Sequence, residues 1–219
     1  MGFSNLDKVG VLTSGFDVIG TMITTYNYEY YKKHYEKHGL KIEKTFHEKT
    51  FMFKDINTDY YAKMSRIVKT RNNLREVNFY STNKIMERAN EMFDLFNQSY
   101  AKLSSFVKIS DEQKEYMKEK FLSFINPEYI KFVENSENKI VAFAIIMPSF
   151  AKALQRTRGK LFPFGFLHLL YAKKFNKDVT LYLIGIHPEY QKLGVTAIIF
   201  NSFKLQKSCL LYTSPSPRD

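Results

Sequence analysis

The sequence predicts an α/β fold in which a mixed central sheet has helices on both of its faces. Two apolar runs, Ile140–Met147 and Leu181–Ile186, are continuous, as in strands that are buried on both sides. Apolar residues recur at helical spacing over 85–103, the clearest amphipathic helix in the chain. The alternation of strand and helix signals indicates layers of helices packed on a sheet.

The remaining elements follow from local patterns taken in chain order. The patterns predict a helix over Tyr26–His38 that Gly39 ends, a strand over Phe46–Phe53, a linking helix over Asn57–Thr70 and a strand over Glu76–Tyr80. A capping box at Ser110–Gln113 opens another helix, which runs to Phe124. A strand over Glu128–Val133 is then joined to Ile140–Met147 by a hairpin turn at Asn135–Asn138.

Composition limits the class of protein. The chain has 219 residues with 33 Lys+Arg against 22 Asp+Glu, a net charge of +11. This charge suits an acidic partner, which would be nucleic acid, anionic lipid or the phosphates of coenzyme A, but the spread of the lysines along the chain favours a solvated basic surface. The single cysteine, Cys209, predicts a reducing compartment. The longest apolar patch, Leu161–Ala172, is too short to span a bilayer, so we expect a soluble, cytoplasmic protein.

The informative stretch is a strand, a turn and a helix over 179–203. His187 and Pro188 end the strand, because proline cannot donate to a ladder. A polar turn follows, and Gly194 allows a close approach of the backbone to a ligand. N–H groups at such a turn and at the start of a helix favour anions. The spacing alone leaves open a turn that only connects two elements and binds nothing.

The residues of this turn resemble a known motif. Gln191–Thr196 is similar to the pyrophosphate loop, [RQ]-x-x-G-x-[GA], of the GNAT superfamily of acyl-CoA N-acyltransferases, although Thr196 departs from its last position. Ile184–Pro188 resembles the end of that family's fourth strand. The resemblance implies acetyl-CoA or another acyl-CoA as the acyl donor. It implies that the pantetheine arm pairs with the backbone of Ile184, Gly185 and Ile186, that a backbone N–H near Ile186 polarises the thioester carbonyl, and that the pyrophosphate is held by Gln191, Lys192, Leu193, Gly194, Val195 and Thr196.

A second resemblance lies near the start of the chain. Tyr35–Leu40 is similar to the ending of the last GNAT helix, and Asn27 resembles the asparagine that opens that helix. The resemblance implies that Tyr35 protonates the leaving thiolate of coenzyme A in a first unit. The order of motifs also resembles an uncharacterised bacterial family of larger tandem proteins. The predicted domains are 1–53, the remnant of a first GNAT-like unit; 54–74, a linker helix; 75–207, a truncated second unit with an insert at 149–177; and 208–219, an artefactual tail.

The insert and the tail have separate interpretations. The insert, Ser149–Lys177, has a basic start and an apolar middle, which suits a lid or acceptor-binding element and also suits a packing helix. Leu210–Asp219 resembles the translated read-through of a sequencing adapter, as on metagenomic reading frames. We therefore expect a fragment that lacks the last elements of the second unit and is poorly soluble and inactive.

Three function classes remain open. The first is an acyl-CoA N-acyltransferase that transfers an acyl group directly to a small-molecule or peptide amine. The others are a catalytically silent scaffold or binding protein and a Fem-like transferase that uses aminoacyl-tRNA. No general base is identified, since Glu134 and Glu189 suit surface carboxylates. The histidines show no metal-ligand spacing, and no nucleic-acid motif stands out.

Overall fold

A computed structural model gives the architecture of the chain. It describes residues 10–21, 24–52, 55–103, 106–120, 122, 125–175, 178–203 and 209–215. Two compact units divide the chain, and each is built from segments that are distant in sequence. Unit 1 takes Met1–Met52, Pro148–Thr180 and Ser208–Asp219, and unit 2 takes Phe53–Met147 and Leu181–Lys207.

Unit 2 is built on an antiparallel sheet. Its strands are β2 (Arg75–Asn78), β3 (Ile130–Glu134), β4 (Ile140–Pro148) and β5 (Val179–Ile186). Their spatial order is β5, β4, β3, β2, and the β2–β3 and β3–β4 pairs are antiparallel. Two bonds show that β4 and β5 also run in opposite directions: His187 N–H donates to the Val141 carbonyl at 2.9 Å, and Ser149 N–H donates to the Asp178 carbonyl at 2.8 Å.

Helices flank this sheet, so the predicted fold class is confirmed. The helices of unit 2 are α2 (Thr58–Asn72), α3 (Thr82–Glu87), α4 (Ala89–Tyr100), α5 (Asp111–Lys120) and α8 (Thr196–Ser202). The predicted capping box is present before α5: Gln113 N–H donates to Ser110 Oγ at 3.3 Å, and Ser110 N–H donates to Gln113 Oε1 at 2.9 Å. The single helix predicted over 85–103 is wrong, because the chain breaks at Arg88 between α3 and α4.

The core of unit 2 includes apolar residues from the predicted buried strand Ile140–Met147. Buried side chains of α3, α4, β3 and β4 form one cluster that includes Ile85, Phe93, Phe96, Phe132 and Phe143. The first seven of the nine β4 residues, Ile140 to Ile146, are all buried, as expected for a strand covered on both sides.

The helix predicted as a linker, α2, packs on α8 within unit 2. The rings of Tyr61 and Phe200 lie 5.7 Å apart, and Val68, Ile198 and Ile199 are buried. Asn57 caps α2, since its side chain accepts from Tyr60 N–H at 2.9 Å.

Glu76 on β2 carries a perturbed carboxyl group. Burial raises its pKa, but hydrogen bonds from the side chains of Ser202, Lys69 and Asn78, together with the Lys69 charge, outweigh burial and lower the pKa. Lys69 Nζ donates to Glu76 Oε2 at 2.9 Å, so the pair also ties α2 to β2.

Unit 1 contains α1 (Tyr30–Lys37), β1 (Phe46–Met52), α6 (Ala151–Thr157), α7 (Gly165–Phe175) and β6 (Cys209–Pro215). The predicted stop at Gly39 is confirmed. Gly39 has φ +75°, and Leu40 N–H and Gly39 N–H donate to the carbonyls of Tyr35 and Glu36, as in a Schellman motif. The predicted insert at 149–177 forms the helical pair α6–α7, and β6 pairs antiparallel with β1.

The N-terminal segment of unit 1 is held by side chains. Asn27, expected to open a helix, lies three residues before α1; its Oδ1 accepts from Leu12 N–H at 2.6 Å. Glu48 on β1 accepts from the hydroxyls of Thr21 at 2.8 Å and Thr24 at 2.5 Å. The Glu48 bonds attach the loop that precedes α1 to strand β1, and the Asn27 bond attaches the end of this loop to Leu12 near its beginning.

Candidate functional site

The candidate site begins at His187, directly after β5 ends at Ile186. A 3₁₀ turn, Pro188–Tyr190, follows at once, and its first residue is a proline whose missing N–H costs nothing there. Tyr190 N–H donates to the His187 carbonyl at 2.8 Å, and Glu189 N–H approaches His187 Nδ1 at 3.4 Å. His187 therefore caps the turn, as a structural histidine does.

The second half of the turn forms a concave group of N–H donors. Gly194 has φ +78°, and Val195 follows at φ −58° and ψ −26°. A left-handed residue followed by a right-handed one aims successive N–H groups at a common point, the arrangement called a nest. Within the described part of the chain, no acceptor takes the N–H groups of Gly194, Val195 or Thr196. The nest therefore offers three donors to an anion.

Gly194 is required by its conformation and by the packing behind it. A Cβ built at Gly194 would lie 3.4 Å from Val68 Cγ2 on α2, so it points toward the protein. The sequence-based interpretation, that glycine clears space for a ligand, does not match this direction. The positive φ, which residues with a Cβ rarely adopt, is the main reason for glycine here.

The remaining loop residues differ in exposure. Gln191, Lys192 and Leu193 are exposed, Val195 is buried, and Thr196 is half-buried. Gln191 Nε2 donates to the Ile186 carbonyl at 3.1 Å, so its side chain folds back on β5. The next residue, Lys192, is the cation nearest in sequence to the nest.

One edge of β5 carries the backbone groups that the resemblance assigns to a pantetheine arm. His187 N–H points toward β4, and alternation along a strand then aims the carbonyls of Ile184 and Ile186 away from β4. Both carbonyls already accept hydrogen bonds from side chains. Tyr100 Oη donates to the Ile184 carbonyl at 2.7 Å, and Gln191 Nε2 donates to the Ile186 carbonyl at 3.1 Å. Ser99 Oγ lies 3.0 Å from the Ile186 carbonyl and 2.7 Å from the Leu95 carbonyl, and these two acceptors share its single proton.

Ser99 and Tyr100 are site residues that the sequence did not reveal. The pattern of α4 assigned Tyr100 to the apolar stripe, and its ring does stack on Phe96 at 4.5 Å. The sequence did contain one signal for this contact, the two adjacent hydroxyl residues at the end of an apolar helix. A Tyr that packs against a core usually finds a hydrogen-bond partner for its hydroxyl.

Gly185, a predicted cofactor contact, has a packing role. A Cβ at this position would lie 2.3 Å from Cε1 of Phe143 on β4, well inside van der Waals contact. The Phe143 ring packs so closely on Gly185 that no side chain fits at this position. The glycine is therefore explained without a ligand.

The two carboxylates considered as bases differ sharply. Glu189 is a surface residue with 81% of its side chain exposed, as expected. The surface interpretation of Glu134 is wrong, since its side chain is 1% exposed and forms ion pairs with Arg75 and Arg88. Two guanidinium groups hold the Glu134 carboxylate, which gives it a structural role.

Tyr35, the predicted acid of the first unit, lies on α1 and is 43% exposed. The neighbouring Tyr30 and Tyr31 are exposed as well, and the described residues of α1 include no buried side chain. Tyr35 and the nest belong to different compact units, and each is described only within its own unit.

The described residues contain neither a metal-binding cluster nor a membrane-spanning helix. No group of three or more His, Cys, Asp or Glu side chains in the described ranges is placed to hold a metal ion. In the same part of the chain, every helix is too short or too polar to cross a bilayer.

Comparisons with known proteins give remote similarities. No family model matches the chain, so membership of the GNAT superfamily remains a prediction. The chain is 20% identical over 192 residues to Protein YghO of Escherichia coli (strain K12), a span of 87% of this chain and 48% of YghO. It therefore covers about half the length of that curated relative.

Two solved structures are also similar to the chain. L-PGS from Bacillus licheniformis is 13% identical with a TM-score of 0.43, over 89% of this chain and 52% of that one. The C-terminal domain (DUF2156) of an Agrobacterium fabrum protein is 9% identical with a TM-score of 0.40, over 77% of this chain and 47% of that one.

Proposed function

We propose that the chain belongs to an N-acyltransferase that moves an acyl group from acyl-CoA to an amine. The observation that carries the proposal is the nest at Gly194–Thr196, which follows β5 and whose three N–H groups lack a described acceptor. A pyrophosphate suits such donors, because its oxygens accept several short hydrogen bonds and carry negative charge. Lys192 adds a cation close by in the same turn.

The donor set fits coenzyme A along β5 as well. Acetyl-CoA, when bound, supplies the acyl group as a thioester. The nest would hold the pyrophosphate, and the edge of β5 at Ile184–Ile186 would orient the pantetheine arm. The Ile184 carbonyl remains able to accept, since a carbonyl oxygen has two lone pairs and Tyr100 uses one. The Ile186 carbonyl already accepts from Gln191 Nε2 and lies within reach of Ser99 Oγ. Orientation and main-chain polarisation are the contributions that this site would make.

A silent binding protein is the second candidate, and one observation favours it. The side chains of Tyr100 and Gln191 already donate to the carbonyls of Ile184 and Ile186, so these two carbonyls are satisfied without a ligand. In that case the nest would still bind an anion, but the thioester would not be placed for transfer.

Calorimetric titration of acetyl-CoA into the 219-residue chain tests the proposal. The variant Gly194→Val should lose affinity at least tenfold, because the nest depends on a positive φ that valine resists. Gly39→Val is the matched control: Gly39 has φ +75° with no atom near a built Cβ, so it carries the same backbone strain away from the nest.

The outcomes separate the candidates. Binding by the wild type and by Gly39→Val, with loss in Gly194→Val while both variants still melt in a cooperative transition, supports coenzyme A binding at the nest. Acyl transfer to a panel of amines then distinguishes an enzyme from a silent binder. Absence of wild-type binding, or equal affinity in Gly194→Val, contradicts the proposal. A titration with aminoacyl-tRNA in parallel tests the remaining class.

A further inference from the structure

The helical pair α6–α7 in unit 1 carries an unusual surface. Helix α7 is apolar nearly all round, yet most of its apolar side chains are exposed to solvent. The loop before it adds Phe162, 81% exposed, and Phe164, 69% exposed. We call this surface the aromatic face; its exposed apolar members are Leu161, Phe162, Phe164, Phe166, Leu167, Leu170, Tyr171 and Phe175.

The packing of α7 explains why this face is turned outward. The helix contacts α6 through a narrow stripe in which Gly165 and Ala172 are buried and Leu169 is half-buried. These positions are spaced by four and three residues and so share one side of the helix. A Cβ on Gly165 would lie 1.9 Å from the Lys160 carbonyl oxygen, so the stripe is also closely packed. The opposite side of α7 therefore presents the aromatic face to solvent.

The charges around the aromatic face have one sign. Residues 149–175 contain no Asp or Glu. Their basic members are Lys152, Arg156, Arg158, Lys160, Lys173 and Lys174. Lys152 pairs with Asp178 at 2.6 Å, and within the described part of the chain no carboxylate pairs with the other five. Unneutralised cations that border exposed aromatic rings suit an anionic partner with an apolar layer beneath its charge.

A small cleft adds a place for a single anionic group. It has a volume of about 210 Å³ and lies between α6 and the loop that leads to α7. Arg156 and Lys160 line it together with His168, and Phe162 and Phe164 form its apolar lining. The cleft thus brings two cations within the same pocket as the two most exposed rings of the face.

We propose that the α6–α7 pair binds the surface of a bilayer that contains anionic phospholipid. Phe162 and Phe164 enter the boundary between head groups and acyl chains, and the basic residues contact lipid phosphates. Aromatic and leucine side chains with lysines and arginines beside them are the composition of interfacial helices that lie in the plane of a membrane. This inference concerns unit 1 and does not depend on the proposed function of the nest.

A fluorescence experiment tests the placement directly, because the chain contains no tryptophan. Phe164→Trp puts a single indole on the aromatic face. Its emission should shift to the blue when vesicles of phosphatidylcholine and phosphatidylserine are added, and brominated acyl chains should quench it. Tyr80→Trp is the matched control, since Tyr80 belongs to unit 2 and is 87% exposed. The indole at position 80 should show neither effect.

Vesicle flotation measures the contributions of charge and apolar contact. Lys173→Gln with Lys174→Gln should weaken binding about thirtyfold, at about 1 kcal/mol for each cation near an anionic surface. Phe162→Ser with Phe164→Ser should weaken it at least tenfold through lost apolar burial. Lys63→Gln with Arg66→Gln is the control for charge, since both residues are exposed on α2. This pair should leave binding unchanged.

Each alternative has its own signature, and each would overturn the inference. Equal binding to pure phosphatidylcholine would remove the role of charge, and absence of flotation would remove the membrane altogether. Retardation of RNA that depends on Phe162 and Phe164, without vesicle binding, would assign the face to nucleic acid. Self-association that the Phe162→Ser and Phe164→Ser pair abolishes, again without vesicle binding, would assign it to a second copy of the chain.

Discussion

Glu134 offers the sharpest test of how unit 2 is held together. It lies on β3 directly opposite Arg75 on β2, and its side chain is 1% exposed. Arg75 Nε donates to Glu134 Oε2 at 2.8 Å, and Arg88 Nη1 donates to Oε1. Arg88 also donates to Glu91 Oε2 and to the Asn138 carbonyl. The network thus joins β2, the break between α3 and α4, and the β3–β4 turn.

The expected cost of Glu134→Gln follows from these contacts. The substitution keeps the shape, but the amide has one acceptor oxygen where the carboxylate has two. One guanidinium therefore faces an NH2 donor and the other bonds to an uncharged oxygen, a loss of about 1 kcal/mol for each of the two arginines. The loss is limited because the Arg75 side chain is 60% exposed and can rehydrate, and because Arg88 keeps Glu91 and Asn138. We therefore expect Glu134→Gln to lower the free energy of unfolding of unit 2 by about 2 kcal/mol.

Native-state hydrogen exchange with mass spectrometry is the suitable assay, because it reports on the segments of one unit at a time. Amides of β3 and β4 should exchange about thirtyfold faster in Glu134→Gln, which corresponds to about 2 kcal/mol. Glu137→Gln is the control: Glu137 pairs with Lys139 on the surface, with side chains 65% and 72% exposed, and should change exchange rates less than threefold because solvent screens the pair. Equal exchange in the two variants would refute the network's role.

Three further predictions concern single side chains. The folded-state pKa of Glu76 is below its ordinary value, so its stabilising contribution is present above about pH 4.3 and is lost as pH falls through the folded pKa. Glu76→Gln should therefore flatten the acid limb of a curve of stability against pH. An unchanged acid limb would contradict this. Thr180→Val should leave the thermal midpoint unchanged or raise it, because the buried Thr180 hydroxyl has no described partner; a fall worth more than about 1 kcal/mol would show a missed hydrogen bond. Tyr100→Phe should cost about 1 kcal/mol in urea unfolding yet keep or improve acetyl-CoA affinity, since it frees the Ile184 carbonyl; a large loss of affinity would give Tyr100 a direct role.

Most of the fold could be predicted because its signals are local. The runs that form β4 and β5 are continuous, and the turn between β3 and β4 is rich in asparagine, with Asn138 at φ +61°. The break at Arg88 could not be predicted, because it serves a contact with Glu134, 46 residues away. An amphipathic pattern reports only which side of a helix is buried and says little about a distant charge that interrupts it.

The site was predicted in part for the same reason. The turn over 188–196 follows from Pro188 and Gly194, whose backbone preferences act locally. The hydroxyls on the β5 carbonyls were not predictable, since Tyr100 and Ile184 are 84 residues apart and meet only in the folded chain. Unit 1 shows the opposite case: the apolar character of α7 was evident, but its exposure depends on packing through Gly165 and Ala172.

The nest has a consequence for how this site can diverge among proteins. Its donors are main-chain N–H groups, which every residue except proline supplies. The information that specifies it is the sign of one torsion angle, at Gly194, and the direction of the strand before it. Two chains can therefore share this device while their side chains differ almost everywhere else. A search that scores residue identity is nearly blind to it, whereas a search for a left-handed residue between a buried strand and a helix would find it.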